Sequence, residues 1–498
     1  MNLEPRPAPR APRPSFEAVI GLEIHAQLRT ATKIFCGCST AFGAPPNSHV
    51  CPVCLGLPGA LPVLNEAAVD AALITALALN CRVPPVSVFA RKNYFYPDLP
   101  KGYQISQYED PLAVDGAVTG DLDGRPQTVR IRRVHLEEDA GKSLHEGFPD
   151  SARYTYVDYN RAGVPLIEIV TEPDLRSASA AAELFTRLRA ILVAIGVNDG
   201  NMETGSLRCD ANVSVRAVGS PELGVKVEVK NLNSFRFLQK ALEFEVERQA
   251  DTSAKGGRIV QETRLFDAAN GRTHSMRSKE EAHDYRYFPE PDLPPLVVSD
   301  EWVERLRARL PELPDARMQR FITSYSLPEY DARVLTQSMA VADYFEGVAR
   351  HAPAKAASNW VMGEVLRRLK GDERDILGFP VAPEALAELI QLVERGRISG
   401  SVAKEVFEQM RASGDRAQVI VEREGLVQVD DEDTIVGVVE QVIAEHQAAV
   451  TQYRGGKLQA LGFLVGQVMR RMSGKANPKR VNEVLRRELD ALGSSGRG

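Results

Sequence analysis

Aliphatic and polar residues alternate along Phe16–Gln27: Ile20, Leu22 and Ile24 share one parity, and Gly21, Glu23, His25 and Gln27 the other. A period of two marks a strand with one face against a core. It sends the aliphatic set inward and sets Glu23 and His25 on the opposite face, about 7 Å apart. Two further segments alternate in the same way. Leu207, Cys209, Ala211, Val213 and Val215 oppose Arg208, Asp210 and Asn212, and Val225, Val227 and Val229 oppose Lys226, Glu228 and Lys230. Paired as a hairpin, these two predict a charged sheet face.

Strand patterns punctuated by Gly and Pro continue to about Val298 and close in the run FPEPDLPPLVV, which begins at Phe288. Beyond it the period changes. Val341, Tyr344, Phe345 and Val348 recur at i, i+3, i+4 and i+7, which predicts helices. A break at RISGS, from Arg397, precedes a last segment in which Asn477 and Pro478 read as a helix N-cap and first position. Val481, Val484, Leu485 and Leu489 then share one face of that helix. A chain of 498 residues exceeds what one core organises, so two to four domains are expected. The punctuation places a mixed α/β domain over residues 16–297, a helical domain over 298–398 and a small helical tail domain over 399–498. Residues 1–15, MNLEPRPAPRAPRPS, are rich in Pro and Arg and lack the apolar segment of a secretory signal; they read as a disordered tail.

Composition changes this picture little. With 44% hydrophobic and 26% charged residues, and no apolar run long enough for a membrane span, a soluble protein is the default. The formal net charge of -6 removes any global attraction to nucleic acid and leaves only a local basic face. Such a face is available near the C-terminus, in Arg470, Arg471, Lys475, Lys479 and Arg480, continued by Arg486 and Arg487; a solvated helix surface is the plainer reading.

Cysteine usage is more informative. Of the 6 cysteines, Cys36, Cys38, Cys51 and Cys54 form a C-x-C and a C-x2-C pair. Four thiolates brought together by two tight turns suit tetrahedral zinc in a closed, structural site, and this crowding fits a cytoplasmic protein better than a secreted disulfide framework.

The string HLEEDAGKS places Glu137, Glu138 and Asp139 side by side, with Lys142 just beyond. Adjacent carboxylates repel unless solvated or neutralised, and a divalent cation bearing phosphate is one natural partner. The AGKS within it is no phosphate-cradling P-loop, because Leu136 stands where that loop needs a glycine. No dinucleotide fingerprint, kinase catalytic loop or nucleophile elbow is present. His25 alone reads as an ordinary structural histidine, but beside Glu23 it becomes a candidate ligand for Mg²⁺ or Mn²⁺. The run from Arg91 to Glu109, RKNYFYPDLPKGYQISQYE, mixes basic, aromatic and amide side chains; base stacking and a core corner explain it equally well.

Taken in order, the strings VIGLEIHAQL, RKNYFYPDLPKGYQISQ, HLEEDAGKS, GSLRCDANVS, EVKNLNSF, QETRLFD and DYRYFPEPDLPP closely resemble the B subunits of aspartyl/glutamyl-tRNA amidotransferases, from Phe16 to Leu489. The resemblance implies an α+β fold: a cradle-shaped catalytic core, a helical domain and a C-terminal tail of the YqeY type that binds tRNA. It implies ATP-dependent phosphorylation of the side-chain carboxylate of glutamate or aspartate misloaded on tRNA(Gln) or tRNA(Asn). Ammonia then displaces the phosphate; it comes from glutamine through a separate amidase subunit, held in a heterotrimer by a small linker subunit. Carried over to this sequence, Glu23, His25, Glu138 and Glu262 are the expected Mg²⁺ ligands, Lys142 and Lys92 the phosphate contacts, and the four cysteines a structural zinc site. Tyr330, Asp331, Arg333, Asn359 and Trp360 match family positions in the helical domain without an assigned role. Two rival classes remain open at this level: a non-catalytic tRNA-binding zinc protein, and an ATP-dependent ligase acting on free amino acids.

Overall fold

The computed structural model describes residues 16–278, 285–372, 376–427, 432–472 and 476–494. The tail expected over residues 1–15 and the tRNA contact expected at Lys475 lie outside these. The chain forms two compact units, Met1–Asp315 and Ala316–Gly498.

In the first unit the strands that matter are β1 (Phe16–Gln27), β2 (Phe89–Asn93), β3 (Tyr103–Gln107), β4 (Ala113–Leu122), β5 (Arg125–Glu138), β6 (Pro165–Thr171), β7 (Leu207–Ala217), β8 (Val227–Lys230), β9 (Glu262–Asp267) and β10 (Arg272–Ser278). Eight of them make one sheet in the order β10-β9-β8-β7-β1-β6-β5-β4. Only β8 and β9 run parallel; the other neighbours are antiparallel. The alternation in β1 behaves as the sequence predicts, with Ile20, Leu22 and Ile24 buried and Glu23 and His25 on the other face. β7 and β8 pair as the expected hairpin, Ala211 opposite Val229 and Val213 opposite Val227.

Three helices, α1 (Glu66–Ala78), α2 (Ala178–Ala194) and α3 (Phe235–Ala254), bury their apolar stripes with the aliphatic face of this sheet. Each starts at a side-chain cap: Asn65, Ser177 and Ser234 accept backbone N–H groups of the first turn. With helices gathered on one face, the opposite face of the sheet is left for polar residues.

The proline-rich run does not act as a linker. Phe288 and Pro289 pair with β2, and Leu296 and Val297 pair with Val86 and Ser87, so the chain is stitched back onto the first unit. The helix Asp300–Arg307 follows it there, and the Trp302 indole N–H donates to Asp70 of α1 at 2.7 Å. Residues 298–315, expected in the helical domain, therefore pack with the first unit.

The second unit is helical and holds two cores. One runs from Phe321 to Val421 and includes Val341, Tyr344, Phe345 and Val348. RISGS lies inside it, with Ser399 capping the helix Gly400–Ser413, so residues beyond 398 still share this core. The last core begins at Ile435 and uses Val481, Val484, Leu485 and Leu489 of the helix Pro478–Ser494, the face read from the sequence. Among the described residues no helix is long and apolar enough to cross a membrane.

Candidate active site

β1 lies between β7 and β6, and the register fixes which polar residues meet. His25 stands opposite Arg208 on one side and Glu168 on the other, and Glu168 stands in turn opposite His135 of β5. Glu137 follows two residues after His135, on the same face of β5. The imidazole Nε2 of His25 is 3.4 Å from Glu168 Oε2. That of His135 is 3.5 Å from Glu168 and 3.7 Å from Glu137. One ligand atom each from His25, Glu137 and Glu168 lies within 4.8 Å of the other two. Octahedral Mg²⁺ at about 2.1 Å sets neighbouring ligands about 3 Å apart and opposite ones about 4 Å, so this imidazole and two carboxylates fit such an ion.

Protons and cations balance these carboxylates: His25 is held protonated, and a bound cation would have to displace that proton before the imidazole could act as a ligand. Burial pulls the His25 imidazole down, but its hydrogen bond and charge interaction with Glu168, helped by Glu137, outweigh this and push it up to about 9. Burial works against ionisation of Glu168 as well, yet His135, His25 and Lys92 hold it well below the usual carboxylate range. Glu137 is lowered despite burial by His135 and Lys92. Two carboxylates thus persist as anions in a buried place, held there by cations.

A cleft of about 460 Å³ opens beside these ligands, lined by His25, Glu137, Lys92, Arg208 and Lys230. Lys92 on β2 sits 5.0 Å from the ring centre of Tyr285 and is kept charged against burial chiefly by Glu137. Arg208 bonds Asp139 at 2.9 Å, and Asp139 also accepts from Gln27 at 2.7 Å. Lys230 bonds Asp210 at 2.7 Å and Glu228 at 3.0 Å. Cations on both walls with a metal-competent anionic floor make a place for a polyphosphate and its counter-ion.

The expected site residues divide. His25 and Lys92 line the cleft; Glu23 lies one pleat along β1, hydrogen-bonded by Asn212 at 2.8 Å, its carboxyl raised by burial and then by Glu168. Glu138 does not join the ligand set. Its parity on β5 is opposite to that of Glu137, and its buried carboxylate binds Lys101 and accepts from the Ile105 N–H at 2.9 Å. Glu262 is also elsewhere: β9 is three strands from β1, and this carboxylate pairs with Arg264 at 2.6 Å and faces Arg248 of α3 at 3.9 Å. Lys142 is exposed on the short strand Lys142–Leu144, outside the cleft lining. In place of these three, the fold brings in Glu137, Glu168, Arg208 and Lys230. Carrying the alternation of Val134 and Leu136 forward would have selected Glu137 over Glu138. A lone carboxylate inside the apolar strand PLIEIVT was the signal for Glu168.

The four cysteines converge, with one sulfur of each within 4.8 Å of the rest. Cys51 and Cys54 Sγ are 3.9 Å apart, and zinc–sulfur bonds of about 2.3 Å set tetrahedral sulfurs about 3.8 Å apart, so zinc fits. The Cys54 thiol is lowered to about 4 by its hydrogen bond with Cys36, against burial and with help from the Cys51 N–H and Lys33, whereas burial raises Cys38 to about 11. A set holding one ready thiolate and three sulfurs at hand is compatible with a closed metal site.

At the C-terminus, Arg470 and Arg471 end the helix Gln459–Arg471, and Lys479 and Arg480 lie in the first turn of Pro478–Ser494. All four are exposed. Arg471 pairs with Glu445 at 3.0 Å, and Arg480 with Glu432 at 3.0 Å and Glu483 at 3.2 Å.

Comparison with known proteins gives this arrangement its place. The family profile described as the GatB/GatE catalytic domain matches residues 18–304, and that described as the GatB domain matches residues 343–489. A relative from Thermodesulfovibrio yellowstonii is 55% identical over 471 residues, covering 94% of this chain and 98% of its own length. One from Geobacter sulfurreducens is 56% identical over 476 residues, covering 95% and 99%, and one from Carboxydothermus hydrogenoformans 55% over 478 residues, covering 96% and 99%. All three are B subunits of aspartyl/glutamyl-tRNA(Asn/Gln) amidotransferases. With the catalytic-domain profile spanning the sheet that carries the cleft, and full-length relatives at this identity, the chain belongs to the aspartyl/glutamyl-tRNA amidotransferase B subunits, a family of tRNA-dependent, glutamine-hydrolysing ligases.

Proposed function

We propose that this chain activates glutamate or aspartate misloaded on tRNA(Gln) or tRNA(Asn) with ATP, and aminates the activated side chain with ammonia. The observation that carries the reading is the juxtaposition of His25, Glu137 and Glu168, on one face of the eight-stranded sheet, with Arg208 and Lys230 of that sheet and Lys92 of the neighbouring strand β2 around one cleft. A carboxylate is a poor acyl donor, because its leaving group is oxide. In the proposed sequence an oxygen of the substrate carboxylate attacks the γ-phosphorus and ADP leaves. Ammonia then attacks the acyl carbon, and inorganic phosphate leaves with that oxygen. His25, once deprotonated, with Glu137 and Glu168 would hold Mg²⁺, which when bound would neutralise charge on the transferred phosphoryl group. Lys92 and Arg208 hold phosphate oxygens, and Asp139 aims Arg208. Glu23, one pleat along β1 from His25, accepts from Asn212 and ties β1 to β7.

The wider assignment follows the same reading. Residues 16–297 carry the chemistry, while the helical region and the tail grip tRNA through its backbone, with Arg470, Arg471, Lys479 and Arg480 among the contacts. An amidase subunit delivers ammonia, a small linker subunit completes a heterotrimer, zinc stabilises the cysteine loop, and the work is done in the cytoplasm.

The test is ATP hydrolysis by the chain co-purified with a matching amidase and linker subunit, with and without glutamate-charged tRNA(Gln). The proposal predicts hydrolysis stimulated by the charged tRNA and glutaminyl-tRNA on adding glutamine or ammonia. Tight tRNA binding without ATP turnover contradicts it.

A further inference from the structure

Lys33 has side-chain surroundings that its own neighbourhood does not explain. It is a fully buried lysine. Its Nζ donates to the carbonyl oxygens of His49 at 2.8 Å and Tyr159 at 3.3 Å, and its remaining partner is Cys54 Sγ at 3.6 Å. Among the described residues no carboxylate forms an ion pair with it. A buried ammonium facing only neutral oxygens is strongly unfavourable, because carbonyl dipoles replace hydration without cancelling charge. An anion beside it would offset that cost, and the four-cysteine cluster is what stands there.

A lone thiolate supplies one negative charge. Four thiolates around a divalent ion carry a net charge of two negatives, delocalised over sulfurs that accept hydrogen bonds. We propose that Lys33 is the built-in counter-charge of a zinc–tetrathiolate centre and the strap that ties this centre to the floor of the reaction cleft. The strap can be followed bond by bond. The Lys33 side chain holds the Tyr159 carbonyl, and the next residue's N–H, on Ile34, donates to Gly163 O at 2.9 Å. The Gly163 N–H donates to Asp139 O at 2.9 Å, and the Asp139 N–H to Val164 O at 2.8 Å. Asp139 is the carboxylate that aims Arg208 into the cleft. Gly163 has a φ of +84°, the left-handed region that favours glycine, so the turn carrying these bonds is fixed by backbone conformation, with a Cβ there only at ordinary contact distance, 3.5 Å, from the Lys33 stem and Cys54.

This inference rests on the reading of the cysteines as a metal site, and the two are separable by experiment. The full chain, purified with its partner subunits, is assayed for bound zinc and for zinc release to a chelating dye, as wild type and as Lys33→Met. Loss of the countercharge is expected to speed release roughly 10- to 100-fold, as removal of metal-supporting groups does elsewhere. The melting temperature is then measured for Lys33→Met in the native background and in a chain with Cys36, Cys38, Cys51 and Cys54 all changed to alanine. The countercharge account predicts a reversal of sign: Lys33→Met lowers the melting temperature where the metal centre exists, and raises it where the lysine has lost its anion. The four-alanine arm remains readable even if Lys33→Met fails to fold in the native background. Equal destabilisation in both backgrounds, or unchanged zinc release, overturns the role of Lys33 alone. A wild-type chain purified and reconstituted without zinc overturns the metal reading and the inference with it.

Discussion

Glu137, Glu138 and Asp139 are consecutive, yet each is held by different partners and serves a different end. Glu137 faces the cleft, Glu138 binds Lys101 in the interior, and Asp139 holds Arg208. Conservative substitution separates them. Glu137→Gln removes a proposed metal ligand and is expected to lower ATP-dependent amidation on the order of 100-fold, with tRNA affinity unchanged. Glu138→Gln strands Lys101, whose side chain is 9% exposed and lies near the Phe35 and Tyr103 rings, and is expected to cost about 3–5 kcal/mol of stability while the folded fraction keeps its turnover. Denaturant titration alongside single-turnover amidation checks both; a Glu137→Gln enzyme with normal turnover removes that residue from the ligand set. The contrast also marks what a sequence reveals at this scale. His25 and Lys92, which line the cleft, stand in segments that alternate or cluster visibly, whereas Glu23, expected beside them as a ligand, lies outside both the ligand cluster and the cleft lining. The choice between Glu137 and Glu138 depends on strand parity, and although the lone carboxylate in PLIEIVT marks Glu168 as unusual, its place beside His25 follows from β6 being the neighbour of β1, a fact of topology.

At the scale of elements, periodicity was a good guide and punctuation a poor one. The β7–β8 hairpin and the helical face through Val481, Val484 and Leu485 follow from spacing alone, since burial of alternate or i, i+3, i+4 residues decides them. Proline-rich and Gly/Ser-rich stretches mark chain reversals equally well inside a domain and between domains, and here FPEPDLPPLVV and RISGS are internal. Helix–helix fastening in the second unit gives a pH prediction. Glu346, on Met339–Ala349, takes hydrogen bonds from Arg320 at 2.6 Å and from the Tyr325 hydroxyl at 3.1 Å, and pairs with Arg317. Burial opposes its ionisation, but Arg320 and Arg317 prevail and hold it down to about 2. Since the folded value lies below the ordinary 4.5, its contribution is complete above pH 4.5 and is lost as pH falls toward about 2. Glu346→Gln is expected to cost about 2 kcal/mol at neutral pH and to flatten the acid limb of stability between those values. Equilibrium unfolding measured across that range decides; an acid limb unaltered by the substitution contradicts the assignment.

For the whole molecule, the account assigns chemistry to the first unit and tRNA affinity in part to the exposed cations at the C-terminus. Replacing Arg470 and Lys479 with glutamine is expected to weaken tRNA binding across sequences alike and to reduce the slope of log affinity against log salt by about two, one for each phosphate no longer neutralised. Hydrolysis of ATP at saturating charged tRNA should be unaffected. An unchanged salt slope places the tRNA-binding face elsewhere. The central claim, that the charged face around His25 activates a carboxylate by phosphorylation, is tested most directly by oxygen transfer. With glutamate carrying ¹⁸O in its side-chain carboxylate, charged on tRNA(Gln), the account predicts one ¹⁸O in the inorganic phosphate for each glutaminyl-tRNA formed. Phosphate without ¹⁸O, released while amidation proceeds, contradicts it.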